Sequence, residues 1–79
     1  MTRETVLNKV IQLFAMLTEA EEITAESNLI EDLGIGSMDI LFVISSIEDE
    51  FKIHIPERAL YTVVTVDDVV DMIYELVSK

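Results

Sequence analysis

Three stretches of this chain repeat their apolar side chains every three or four residues, the step that places them on one face of an α-helix. In the first, Val6, Leu7, Val10, Phe14 and Leu17 share a face, and Thr2 stands ahead of them as an N-cap, which predicts a helix over Arg3–Leu17. In the second, Ile40, Val43, Ile44, Ile47 and Phe51 form the seam of a helix that begins at Gly36 or Ser37 and ends near Phe51. In the last, Val66, Val69, Val70, Ile73, Leu76 and Val77 recur behind Thr65, and Asp68 completes a capping box with Asp in place of Glu. The β-branched run from Val63 to Val70 also suits a strand. Asp67 and Asp68, favoured by the positive end of a helix dipole, decide for helix. Pro56 suits the first turn of a short helix over Pro56–Tyr61. With two glycines, one proline and no internal repeat, the expectation is an all-α fold. It is a small four-helix bundle, three longer helices and one short, with a long loop between the first two. Ile23, Leu29, Ile30 and Leu33 punctuate that loop and are expected to tuck back onto the bundle.

Size and charge narrow the function. A chain of 79 residues is expected to be one domain, 1–79, with few positions to build both a core and a substrate cavity. Sixteen acidic and five basic side chains leave a net charge of −11, which repels nucleic-acid phosphates and anionic lipid headgroups. Basic protein surfaces are the expected partners. An apolar fraction of 51% is too high for an acidic disordered tail. The lack of cysteine removes disulfides, zinc ribbons and thiol nucleophiles, and fits a reducing compartment. Thr2, Arg3, Glu4, Asn8 and Lys9 break any signal-peptide run, and Ile40–Ile44 is too short to span a bilayer. A cytoplasmic location, no stable membrane insertion and a monomer are the expectations.

Candidate chemistry is sparse. His54 has no second histidine or cysteine with which to hold a metal, and reads as a loop histidine between Ile53 and Ile55. Glu48, Asp49 and Glu50 are consecutive and cannot converge on one atom from a single helix face, so they read as a solvated acidic face. No EF-hand spacing is present, and no acid, base and nucleophile set can be named. The informative segment is Asp32-Leu33-Gly34-Ile35-Gly36-Ser37-Met38-Asp39, where a hydroxyl arrives as a helix begins. Locally, Ser37 reads as an ordinary helix cap. The sharper alternative is an exposed hydroxyl whose attached phosphodiester would sit beside free backbone N–H groups and the positive end of the dipole.

This segment resembles the serine motif of the acyl carrier protein family, including its peptidyl carrier relatives. Ile47-Glu48-Asp49-Glu50-Phe51-Lys52-Ile53-His54-Ile55-Pro56 is similar to a second family block, and Thr65-Val66-Asp67-Asp68-Val69 to the opening of the family's last helix. The blocks stand in family order and spacing from about Val6 to Val77. The resemblance implies that a phosphopantetheinyl transferase moves 4′-phosphopantetheine from coenzyme A onto Ser37, and that acyl groups ride its thiol as thioesters. It implies no enzyme activity in the chain. It implies passage between acyl-transfer, condensing or adenylating enzymes of fatty acid, lipid or polyketide synthesis, which present basic or mixed basic and apolar surfaces. The resemblance implies that an acyl chain can fold back between the helices; helical phase lines such a pocket with Val43, Ile44, Ile47, Leu60 and Val64, and under the same resemblance Met38, Asp39, Leu41, Phe42, Glu48 and Asp49 face partners. A peptidyl or aminoacyl carrier (D-alanyl included) and an unmodified helical interaction domain are the alternatives.

Two departures stand out. Gly36 occupies a position that is usually acidic, and is expected to give the turn before Ser37 torsions closed to other residues. Phe42 replaces a usual acidic residue about 140° around the helix from Ile47, and forms an expected apolar stripe with Met38, Leu41 and Ser45.

Overall fold

The computed structural model describes residues 2–78, with the side chains of Ser37, Met38 and Leu60 outside the described set. Its elements are α1 (Arg3–Leu17), α2 (Ser37–Phe51), a 3₁₀ turn (Glu57–Tyr61) and α3 (Val66–Val77). No strand forms among the described residues. The expected short fourth helix is this 3₁₀ turn, with Pro56 as its cap rather than inside its first turn.

Local chemistry sets the boundaries. The Thr2 hydroxyl accepts from the Thr5 N–H at the start of α1. At its end, both the N–H and the hydroxyl of Thr18 donate to the Phe14 carbonyl, and Thr18 turns extended. Helix α2 closes on Lys52 in the left-handed region, φ 57°. Helix α3 opens on a full capping box. The Asp68 N–H donates to the Thr65 hydroxyl, and the Thr65 N–H donates to the Asp68 carboxylate. The β-branched run ahead of α3 does pair locally. Leu29 N–H donates to the Val64 carbonyl and Val66 N–H to the Ser27 carbonyl, around an isolated bridge between Asn28 and Thr65.

Helix α1 packs against both α3 and α2, whereas α2 and α3 make little direct contact. Its Val6, Val10 and Phe14 are fully buried, against Ile47 of α2 and Val66, Val70 and Ile73 of α3. Each such side chain contributes about 1.5–3 kcal/mol by leaving water. Leu7, Leu17, Ile40, Leu76 and Val77 are only half-buried and edge this core. Arg3 joins α1 to α3 through Asp67 and Asp71, which hold its guanidinium more firmly protonated than usual. Lys9 reaches Glu50 of α2 at 3.6 Å.

The α1–α2 connection has no helix, yet it is ordered by its own polar groups. The Asn28 side-chain oxygen accepts from the N–H groups of Ile30 and Glu31, and the Asp32 carboxylate accepts from the Asn28 N–H. Winding the chain in this way sends Leu29 and Leu33 inward together. Ile30 turns outward and is 73% exposed, contrary to the expectation that it tucks back. Ile23 is half-buried against the core.

The Asp68 carboxylate is held below the usual carboxylate range by the Val64 and Thr65 N–H groups. A lowered folded pKa stabilises above the ordinary carboxylate pKa of about 4, and that contribution is lost as pH falls through the folded value. Thr65→Ala should cost about 1 kcal/mol in thermal unfolding at neutral pH. The stability gap between wild type and Asp68→Asn should be full at pH 7 and narrow steadily below about pH 4.

Candidate functional site: the start of α2

Ser37 is the first residue of α2, and the chain on either side of it is tightly placed. Ile35, two residues earlier, is buried, and its N–H donates to the Leu29 carbonyl at 2.9 Å. Gly34 makes the turn before it in the left-handed region, φ 68°, which excludes most side chains. Gly36 N–H donates to the Asp39 carboxylate at 3.2 Å, and the Ile40 N–H returns to the Gly36 carbonyl at 3.0 Å. Gly36 itself has φ −82° and ψ 173°, open to any residue, so the expected special torsion lies at Gly34 instead. The capping is half a box, because glycine offers no side chain to the first-turn N–H groups. Thr2 and Thr65 cap the other two α-helices, and α2 alone starts without such a group.

This geometry fits a phosphodiester on Ser37. Among the described residues a Cβ at Gly34 meets nothing within 4 Å, and one at Gly36 meets only the Asp39 carboxylate at 3.6 Å, so neither glycine is crowded on the side leading into the helix. Backbone N–H groups and the positive end of the α2 dipole favour an anion there.

Two clefts flank α2. The larger, about 610 Å³, lies between the connection, the first turns of α2 and the 3₁₀ turn. Ile35, Ile40, Leu41, Tyr61, Val63 and Val64 give it an apolar wall, and outward-turned Ile30 joins them. Of the residues assigned to an acyl pocket, only Val64 is on that wall. Val43, Ile44 and Ile47 pack into the central core instead, because α2 turns that face to α1. The Leu60 side chain lies outside the described residues. The smaller cleft, about 380 Å³, is on the other flank, where Phe42 and Asp39 face the end of α1. Leu41 and Phe42 are 67% and 64% exposed but border different clefts, so the expected single stripe is divided. Ser45 is exposed, and the Met38 side chain lies outside the described residues.

The consecutive acidic residues split their work. The Glu48 carboxylate accepts from the buried Ile55 N–H at 2.8 Å and stands 3.4 Å from His54, so it braces the loop after α2. Asp49 is solvent-facing beside Lys52, and Glu50 reaches Lys9. His54 is an exposed loop residue. Sequence reasoning missed Asn28, whose flanking Ser27 and following Leu29 are the signal of a side-chain-organised turn. It also missed Tyr61 and Ile30 as cleft residues, and nothing in their helical phase marks them. Among the described residues no cluster of metal-ligating groups occurs, and no helix is long and apolar enough to cross a membrane.

Residues 5–73 match the sequence pattern of the family described as "Phosphopantetheine attachment site". An "Acyl carrier protein" of Saccharopolyspora erythraea is 32% identical over 81 aligned positions, which cover 100% of this chain and 85% of that protein. The chain belongs to the phosphopantetheine-dependent carrier family. Its cofactor is covalent 4′-phosphopantetheine, which supplies a terminal thiol to the protein when attached. Proteins of this family are carriers rather than enzymes, and they meet a phosphopantetheinyl transferase and biosynthetic enzymes.

Removing the Glu48 carboxylate leaves a buried N–H without a partner. Glu48→Ala should lower stability by about 1–3 kcal/mol, while Glu48→Gln, which keeps an acceptor, should recover most of it in denaturant melts. Supplying the missing cap has the opposite sign. Gly36→Ser should raise stability by a few tenths of a kcal/mol, because the torsion is ordinary and the added Cβ fits.

Proposed function

We propose that residues 1–79 form one acyl carrier domain. Ser37 bears the phosphopantetheine arm, and acyl intermediates ride it between enzymes of fatty acid, lipid or polyketide synthesis in the cytoplasm. The observation that carries this reading is the place of Ser37. It opens α2, behind a buried Ile35 and a left-handed Gly34, in the stretch matched to the attachment-site family. The name of the Saccharopolyspora relative supports acyl cargo over aminoacyl or peptidyl cargo.

The chain contributes position, shelter and field. The uncapped first turn of α2 receives the phosphate of the arm, and the 610 Å³ cleft beside it receives apolar cargo. Burial of the cargo there keeps water from it, at about 0.8 kcal/mol for each methylene removed from solvent. Tethering raises the local concentration of cargo at each successive enzyme. Met38, Asp39, Leu41, Phe42 and Asp49 face those enzymes, and the net charge of −11 steers basic docking surfaces toward them. Glu48 leaves this set, since its carboxylate is engaged by the Ile55 N–H.

Intact mass spectrometry after incubation with coenzyme A and a broad-specificity transferase tests the reading. The wild type should gain the mass of one phosphopantetheine, and Ser37→Ala should gain none. A wild type that stays unmodified would favour the unmodified interaction domain. Loading of an amino acid rather than an acyl group on the modified protein would favour the aminoacyl carrier.

A further inference from the structure

The larger cleft carries polar groups that shelter of a plain hydrocarbon does not call for. Asn28 lines it from the α1–α2 connection, and Tyr61 lines it from the 3₁₀ turn. The Asn28 Oδ1 accepts from the N–H groups of Ile30 and Glu31, both at 2.9 Å. Two donors on one atom fix the amide, because a reversed side chain would set its NH₂ group against two N–H groups. The Nδ2 donors are therefore the end left over, and they meet no acceptor among the described residues. Asn28 is half-buried, yet its Nδ2 still reaches solvent. Tyr61 is 81% exposed, and its hydroxyl has no partner among the described residues. Asn28 stands at the Ser37 end of the cleft. Its neighbour Leu29 accepts from the Ile35 N–H through its carbonyl, and Gly36 lines the same space.

We propose that this cleft is matched to an oxygen-bearing acyl chain, with a ketone or hydroxyl beyond its thioester, and that Asn28 is the residue that selects it. The proposal rests on the carrier reading above and names the cargo of that same site. A fully saturated chain laid along the cleft strips water from Asn28 Nδ2 and returns no acceptor, which leaves a donor unpaired. A ketone or hydroxyl oxygen takes the place of that water, while the rest of the chain keeps its contact with Ile35, Ile40 and Val63. The Tyr61 hydroxyl offers a second donor on the 3₁₀ side. A carboxylated cargo is disfavoured, because Glu31 and Glu57 line the same cleft without ion-pair partners among the described residues. An amine gains from those carboxylates but sets its own donors against those of Nδ2. A neutral oxygen acceptor alone meets no conflict.

The test uses hydrolysis-stable cargo. Octanoyl, 3-oxooctanoyl, 5-oxooctanoyl and 3-aminooctanoyl groups are joined to the pantetheine arm through an amide and placed on Ser37 by a broad-specificity transferase. Nitrogen-edited NMR reads the docked fraction from the Ile35 and Val64 backbone amides, and the donor from the Asn28 side-chain NH₂ pair. The better keto probe should dock about fivefold more than octanoyl in wild type, with the Asn28 NH₂ pair shifted downfield and exchanging more slowly with water. Asn28→Asp keeps an oxygen for the Ile30 and Glu31 N–H groups and removes only the donors. The fold and octanoyl docking should persist in it, while the keto preference falls to within about twofold. The wild-type comparison needs no variant to fold. Equal or absent docking of the keto and octanoyl probes, or a keto preference that survives Asn28→Asp, overturns the proposal and leaves Ser37 as the attachment site. Tighter docking of the amino probe also overturns it and gives the cleft to a cationic cargo. If no probe is transferred to wild-type Ser37, the carrier reading is defeated and the proposal falls with it.

Discussion

The position of Ser37 depends on a stretch of chain that has no helix of its own. Between Thr18 and Gly36 the backbone must satisfy its polar groups without a helical ladder while three of its side chains go into the core. It does so by tying itself at both ends. Asn28 and Asp32 close one turn, and Ala25, Ser27 and Leu29 exchange backbone hydrogen bonds with Val64, Val66 and Asp67 at the start of α3. Leu29, Leu33 and Ile35 then act as pegs. Helix α2 can start in only one place once Ile35 is seated, and the serine follows two residues later.

Charge is the second constraint, and the molecule handles it locally. Three of its basic side chains are committed to pairs that join neighbouring elements or close a helix end. Pairs this exposed are screened by solvent, so they orient the helices more than they hold them. The remaining carboxylates are left to form a field outside the fold. The exceptions are Asp68 and Asp39, which accept from N–H groups at the starts of α3 and α2, Asp32, which closes the Asn28 turn, and Glu48, which fastens the loop after α2.

Much of this was legible in the residues. The helix limits of α1, α2 and α3 follow from apolar spacing and from Thr2, Thr65 and Asp68, because caps and faces are local properties. The serine at the opening of α2 was legible for the same reason. The walls of the larger cleft were not. Val43, Ile44 and Ile47 lie on the apolar side of α2, but helical phase does not say that α1 rather than the cleft receives that side. Ile30 looks like Leu29 and Leu33 until Asn28 winds the turn and points it outward. Glu48 looks like its acidic neighbours until the chain reverses after Lys52 and brings the Ile55 N–H to it. In each case the deciding contact is made by a residue whose direction is set elsewhere in the fold.

The pattern of helix packing has a mechanical consequence. Because α1 braces α2 and α3 separately, and those two scarcely lean on each other, α1 is the member through which they are joined. A change at the enclosed Val6, Val10 or Phe14 therefore reaches both other helices, while one at half-buried edge residues such as Ile40 or Val63 stays local.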